Sequence, residues 1–385
     1  MMIYFDNSAT TRCCDEAMAV MTEALQNNFG NPSSLHNFGL ESENYIKDAR
    51  RIISKILKCT EKEIYFTSGG TEGNNLALKG GANAVKRRGN HIITTPIEHA
   101  SVDNPVNYLK KDMGFDIDYV PVDKYGVVDV EALKKLLRPD TVLVSIMLVN
   151  NEIGSIQPVE EIGKLVKSNN PECLFHVDAI QGFGKMIIVP KNASIDLLTV
   201  SGHKIHGPKG SGFIYINNKV RVVPEILGGG QEYGMRSGTE NVPAIAGLAV
   251  ASKLCYDNLD SNRNHMYELR NHFIKEASVI DGLSINGHLD NTNAPHIISV
   301  SVRGVRAEVL LHTLEDRGIF VSAGSACSSN KPAISRTLKA IGLDKELLDS
   351  TVRISFCPEN TVDEVDQCIK VLNEIIPQLT KYSRK

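Results

Sequence analysis

Between about Thr60 and Tyr215, short β-branched runs alternate with longer stretches of helical character, the pattern of a mainly parallel sheet with helices on its faces. The predicted strands are EIYFT (63–67), HIITT (91–95), DIDYVPV (116–122), TVLVSIMLV (141–149), CLFHVDA (173–179), LLTVS (197–201) and GFIYI (212–216). Helical segments are expected around 71–87, 101–113, 130–138 and 158–169. Several strands run into polar clusters, the end at which open α/β sheets bind ligands. After the glycine-rich ILGGGQEYGMRSGTEN (226–241) the pattern changes. Long helices are predicted over 243–280, followed by HIISVSV, GIFVSAG and VRISF alternating with helices at 306–316 and 362–376. In the last helix Val362, Val365, Ile369, Leu372 and Ile376 form one apolar face. A second, smaller α/β domain is therefore expected. No repeat or low-complexity tract interrupts either half.

At 385 residues the chain exceeds what one hydrophobic core usually serves, which agrees with two domains. An apolar fraction of 42% and a charged fraction of 23% belong to a globular protein in water. The 42 basic against 45 acidic residues leave a net charge of -3, which gives no electrostatic footprint for direct nucleic-acid binding or for an anionic membrane. MMIYFDNSATT lacks the basic and apolar regions of a secretory signal, and the apolar runs are too short to span a bilayer. A cytoplasmic location is expected. The eight cysteines, at 13, 14, 59, 173, 255, 327, 357 and 368, contain no C-x-x-C pair and no spacing of a structural zinc site, so free thiols are expected.

Three stretches carry candidate chemistry. YFTSGGTEGNNLAL joins a strand, a glycine turn and a helix opening near Thr71, an arrangement that suits a single phosphate group as well as an ordinary capped turn. It matches neither G-x-G-x-x-G nor a P-loop. FHVDAIQGFGK ends a strand on Asp178, a carboxylate that either holds a cationic ring nitrogen or caps the next helix. TVSGHKIHGPKGSG sets Lys204 just past a strand among Ser201, Gly202 and Gly207, either as a confined lysine that loses its proton more easily and forms a Schiff base with an aldehyde or as an ordinary solvated loop lysine. His203 and His206 lie three apart with no third metal ligand nearby, so no metal is expected. Together, phosphate cradle, acidic strand end and flanked lysine are the parts that pyridoxal 5'-phosphate (PLP) requires.

The chain resembles the NifS/IscS-type cysteine desulfurases of aminotransferase class V. The resemblance is carried by YFDNSATT (4–11), FGNPSSLH (29–36), TSGGTEGNN (67–75), EHASV (98–102), VNNEIGSIQP (149–158), HVDAIQ (176–181), SGHKIHGPKGSG (201–212), GGGQEYGMRSGTEN (228–241), SAGSACSS (322–329) and VRIS (352–355), which span nearly the whole chain. It implies a PLP-dependent transferase of fold type I, aspartate aminotransferase-like, with a large domain over 16–257 and a small domain formed by 1–15 and 258–385. Lys204 is then the PLP anchor and the group that moves the α-proton, Asp178 the partner of the ring nitrogen, and His99 the residue stacked on the ring. Asn151 and Gln181 are expected at the phenolic oxygen, and Gly70, Thr71, Ser201 and His203 at the phosphate. Thr239 would reach the phosphate from a second subunit, which implies a homodimer. Arg353, assisted by Asn31, would bind the substrate carboxylate, and Cys327 would accept sulfur from L-cysteine as a persulfide.

The small residues around Cys327 predict mobility over 323–332, so that the thiol can serve both PLP and an acceptor protein such as an iron–sulfur scaffold or a tRNA-thiolation protein. The ending KYSRK lacks the extension with which housekeeping members dock a scaffold, which leaves the acceptor open. Cys13, Cys14 and Cys357 depart from the family pattern; Cys357 is open between a second sulfur-handling thiol and a bland strand-end cysteine. The alternatives are a selenocysteine lyase, another class V aminotransferase, or a PLP-fold subunit that only binds proteins in sulfur trafficking.

Overall fold

The structure, a computed structural model, describes residues 2–323 and 334–382. The chain opens with β1 (Ile3–Tyr4) and two helices, α1 (Asp15–Gln26) and α2 (Asn37–Leu57). Next come β2 (Ile64–Thr67), α3 (Gly70–Asn75) and α4 (Gly81–Val85), the two helices joined by a π turn over Leu76–Gly80. Strands β3 (His91–Thr94), β4 (Asp116–Tyr119), β5 (Thr141–Ser145), β6 (Leu174–Asp178), β7 (Leu197–Ser201) and β8 (Gly212–Ile216) follow. Between them lie α5 (Ala100–Met113), α6 (Val130–Leu136) and α7 (Val159–Asn169).

These strands form a seven-stranded sheet in the order β2-β8-β7-β6-β5-β3-β4, parallel except for β8, which runs antiparallel to both neighbours. Burial explains the apolar runs. Ile92, Leu174, Leu197 and Ile214 enter one hydrophobic cluster, while Ile93, Phe175, Leu198 and Phe213, each the adjacent residue in its strand, enter another. With alternate side chains buried on opposite faces, both sides of the sheet are covered and no polar alternation survives. LLTVS and GFIYI are strands over the predicted residues, whereas TVLVSIMLV is regular only to Ser145. Beyond it the Met147 amide turns to the Glu98 carboxylate at 2.9 Å, which bends the chain into the site.

Helix α8 (Val242–Asp257) packs into the core of the first sheet, and the remaining chain builds a second layer: α9 (Leu259–Ala277), β9 (Leu283–Asn286), β10 (Ile297–Val302), α10 (Ala307–Glu315), β11 (Ile319–Phe320), β12 (Ser322–Ala323), α11 (Arg336–Ala340), β13 (Thr351–Ser355) and α12 (Val362–Tyr382). An antiparallel sheet, β12-β13-β10-β9, shares a core with α9, α10 and α12 that also takes in Ile3 and Phe5. The N-terminal segment thus begins in this layer and crosses to the other, where the Thr11 amide donates to the His203 carbonyl at 2.9 Å. Helices α1 and α2, which the sequence pattern did not single out, pack on α8.

Candidate active site

The C-terminal ends of β2, β6 and β7 open onto one cavity of about 330 Å³. Lys204 reaches it from a single 3-10 turn, Gly202–Lys204, directly after β7. The turn requires glycine at 202, because a Cβ there would lie 2.4 Å from Ser211 Oγ and 3.0 Å from the Pro208 carbonyl oxygen. Lys204 Nζ donates to the carbonyl oxygens of Ser8 at 2.5 Å and Ala9 at 2.7 Å, so the crossing N-terminal segment aims the amine.

Asp178, the last residue of β6, is 4% exposed. Its carboxylate accepts from Asn74 Nδ2 at 2.8 Å and from the Ile180 amide at 3.0 Å. Burial pushes its pKa up, opposed by those two donors and by His99 and Lys204. A cationic partner in the cavity would relieve that cost. The glycine turn beside it holds Gly69 at φ 144°, a region open to glycine, and a Cβ on Gly70 would fall 2.2 Å from Ile180 Cδ1.

His99 precedes α5 and accepts the Ser101 amide at Nδ1, 3.1 Å away. That bond places the neutral ring's proton on Nε2. Ser101 Oγ lies 2.9 Å from the same nitrogen and accepts from Asn74 Nδ2 at 2.9 Å, so His99, Ser101, Asn74 and Asp178 form one chain of hydrogen bonds. Beneath it Glu98 is buried, and burial pushes its carboxyl up to about 8. His203, 3.2 Å from Thr10 Oγ1, is pushed down to about 4 by burial and by Lys204, so its ring is neutral.

Arg353, from the centre of β13, closes the cavity from the second layer. It donates to Asp6 Oδ1 and to the Asn151 carbonyl, both at 2.8 Å. Its Nε is buried with no partner among the described residues, although a buried donor left unpaired is costly. Gly70, Thr71, His99, Asn151, Asp178, Gln181, Ser201, His203, Lys204 and Arg353 all line this one cavity. Thr239 and Asn31 do not; both are exposed. Cys327, with the expected mobile segment, falls in 324–333, outside the described residues; Ser322, at the cavity's edge, precedes it. Sequence reasoning did not single out Asp6, Ser8, Asn74, Glu98 or Ser101, although each sits inside a quoted motif. Their parts depend on contacts between distant segments, which one sequence does not display.

The aminotransferase class-V profile matches residues 3–368. The chain is 41% identical over 381 residues to the cysteine desulfurase IscS of Methanosarcina thermophila, covering 99% of this chain and 93% of that one. It is 42% identical over 382 residues to the putative cysteine desulfurase IscS 1 of Bacillus subtilis, covering 98% and 99%. The chain belongs to the NifS/IscS branch of the class V aminotransferases. Among solved structures, a NifS-like protein superposes with TM-score 0.93 at 41% identity, covering 98% of this chain and all of that one. The apo cysteine desulfurase of Thermococcus onnurineus NA1 superposes with TM-score 0.89 at 26% identity, covering 98% and 95%. Membership in this branch accounts for an enzyme's cavity at the strand ends. No helix among the described residues is long and apolar enough to cross a membrane.

Proposed function

We propose that the protein is a PLP-dependent cysteine desulfurase that converts L-cysteine to L-alanine and carries the sulfur on Cys327. The observation that carries this reading is the meeting of Lys204, buried Asp178 and Arg353 around one cavity. The residues fit PLP. Gly70, Thr71, Ser201 and His203 would hold the phosphate, Asp178 the ring nitrogen, Asn151 and Gln181 the phenolic oxygen, and His99 a face of the ring. When bound, the cofactor supplies an electron sink for charge developing at the substrate Cα.

The chain's own groups do the rest. Arg353 binds the substrate carboxylate, its guanidinium plane fixed by single hydrogen bonds to Asp6 and to the Asn151 carbonyl. Lys204 Nζ removes the Cα proton and later returns one. The Cys327 thiolate attacks the substrate sulfur; an S–S bond forms as the Cβ–S bond breaks, and the electron pair left on Cβ takes up a proton to give alanine. Ser335 donates to Glu152 Oε2 at 2.5 Å, and Glu152 in turn feels Arg353 and His99, which links α11 to the site.

A homodimer in the cytoplasm, with Thr239 and Asn31 completing the partner's site, accords with exposed Leu25, Phe29, Leu35 and Leu227. The domain limits 16–257, and 1–15 with 258–385, place Lys204 and Asp178 in one unit and Arg353 and Cys327 in the other. The sulfur leaves to an acceptor protein, an iron–sulfur scaffold or a tRNA-thiolation protein. The test is incubation of the PLP-loaded protein with L-cysteine and a thiol reductant. Equal amounts of alanine and sulfide are expected; a keto acid without sulfide, as from an aminotransferase, or turnover of selenocysteine alone would overturn the reading.

A further inference from the structure

Beside the Lys204 turn, outside the lining of the substrate cavity, His206, Cys357 and Glu359 converge so that one ligand atom from each lies within 4.8 Å of the others. They come from opposite layers. His206 sits two residues past Lys204, and Cys357 and Glu359 follow β13, two and four residues past its end at Ser355. The main chain fixes the histidine in place. Its φ is 62°, unusual for a residue with a side chain; its amide donates to Thr11 Oγ1 at 2.8 Å and its carbonyl accepts the Cys14 amide at 2.9 Å.

We propose that His206, Cys357 and Glu359 form a zinc(II)-class metal site that ties the end of β13 to the Lys204 turn. The donor set, one imidazole, one thiolate and one carboxylate, suits a tetrahedral borderline ion with water in the fourth position. His206 Nδ1 and Glu359 Oε1 are 3.7 Å apart, too far for a hydrogen bond. Zinc bond lengths and tetrahedral angles put neighbouring donors about 3.4 to 3.6 Å apart, so the His206–Glu359 pair is already close to that spacing and the three donors, within 4.8 Å of one another, would draw together around the ion. Burial holds the His206 imidazole below its ordinary pKa against the pull of Glu359, and its Nδ1 rests 3.2 Å from the Arg12 carbonyl oxygen, a hydrogen bond that metal binding at that nitrogen would replace. Cys357 is 9% exposed, while the Glu359 side chain at 66% opens a path for the ion. The Cys357 thiol rests 3.4 Å from Asn360 Oδ1, which also takes the Cys357 amide at 2.9 Å and so holds the sulfur in place.

Binding exchanges the Cys357 S–H bond for a sulfur–metal bond. The proton goes to solvent and nothing is oxidised. The nearby cation is Lys185, buried against the Lys204 carbonyl at 2.5 Å and pushed down to about 8, whose charge is removable by loss of a proton to solvent.

The test uses chelator-treated, PLP-loaded protein carrying Cys327→Ser, which takes that thiol out of competition. Titrated with zinc chloride, it is expected to bind one ion per chain, release a proton and melt at a higher temperature. Cobalt(II) in its place should give a tetrahedral visible spectrum with a thiolate charge-transfer band. Adding Cys357→Ser should abolish that band, and adding Glu359→Gln, a surface change that spares the fold, should weaken zinc by about tenfold or more. Equal zinc affinity in the parent and the Glu359→Gln protein, or no binding in competition with a weak chelator, would overturn the site.

Discussion

At the scale of single residues, the site works because a few polar groups are buried with part of their bonding capacity unspent. Arg353 is the clearest case: two contacts hold the guanidinium still at the cavity wall, and its buried Nε has no partner among the described residues. A lysine cannot supply that planar fork, and a lost charge-assisted hydrogen bond costs about 1.5 to 3 kcal/mol. Arg353→Lys should therefore raise KM for L-cysteine about 10- to 150-fold with a smaller change in kcat, measured by alanine release. Lys204, Asp178 and Arg353 were legible in the sequence because each sits in a short glycine- or strand-bounded motif. Asn74 and Ser101 were not, since their value lies in linking His99 to Asp178, and no spacing along the chain encodes that.

At the scale of elements, strands buried on both faces were the easiest to find, and the points where regular structure stops were the hardest. The run after Ser145 looks like strand because it is apolar, yet its Met147 amide is committed to Glu98. Glu98 makes a pH prediction. Its folded-state pKa of about 8 stands above the ordinary value of 4.5, so between those limits the native protein keeps a proton that the unfolded chain has released. Stability that is fully present below 4.5 is lost as pH rises through about 8. Melting scans should show wild type falling more than Glu98→Gln over that window. Packing between elements gives another prediction. Gly163 lies in α7, where alanine would favour the helix by about 1 kcal/mol. A Cβ there would stand 1.9 Å from the Ala193 carbonyl oxygen, and backbone overpacking costs about 1 to 3 kcal/mol. The clash wins, so Gly163→Ala should lower the melting temperature.

At the scale of the whole molecule, the N-terminal segment joins two layers. Phe5 packs in the small core, and three residues later the Ser8 carbonyl receives Lys204 Nζ. The change of pattern near 226–241 announced the second layer, but the return of the first residues into it was invisible to periodicity, because β1 is two residues long. If Thr239 serves a second subunit, sedimentation should report twice the 42.2 kDa chain mass, and Thr239→Ala should weaken PLP retention while leaving that mass unchanged. The central claim is that sulfur from L-cysteine rests on Cys327. It is tested most directly by giving the PLP-loaded protein sulfur-35-labelled L-cysteine, alkylating, digesting without reductant and mapping the label. The account predicts label on the peptide containing Cys327, none in Cys327→Ser, and retained PLP absorbance in that variant; label on Cys357 or Cys14 instead, or undiminished sulfide release from Cys327→Ser, would contradict it.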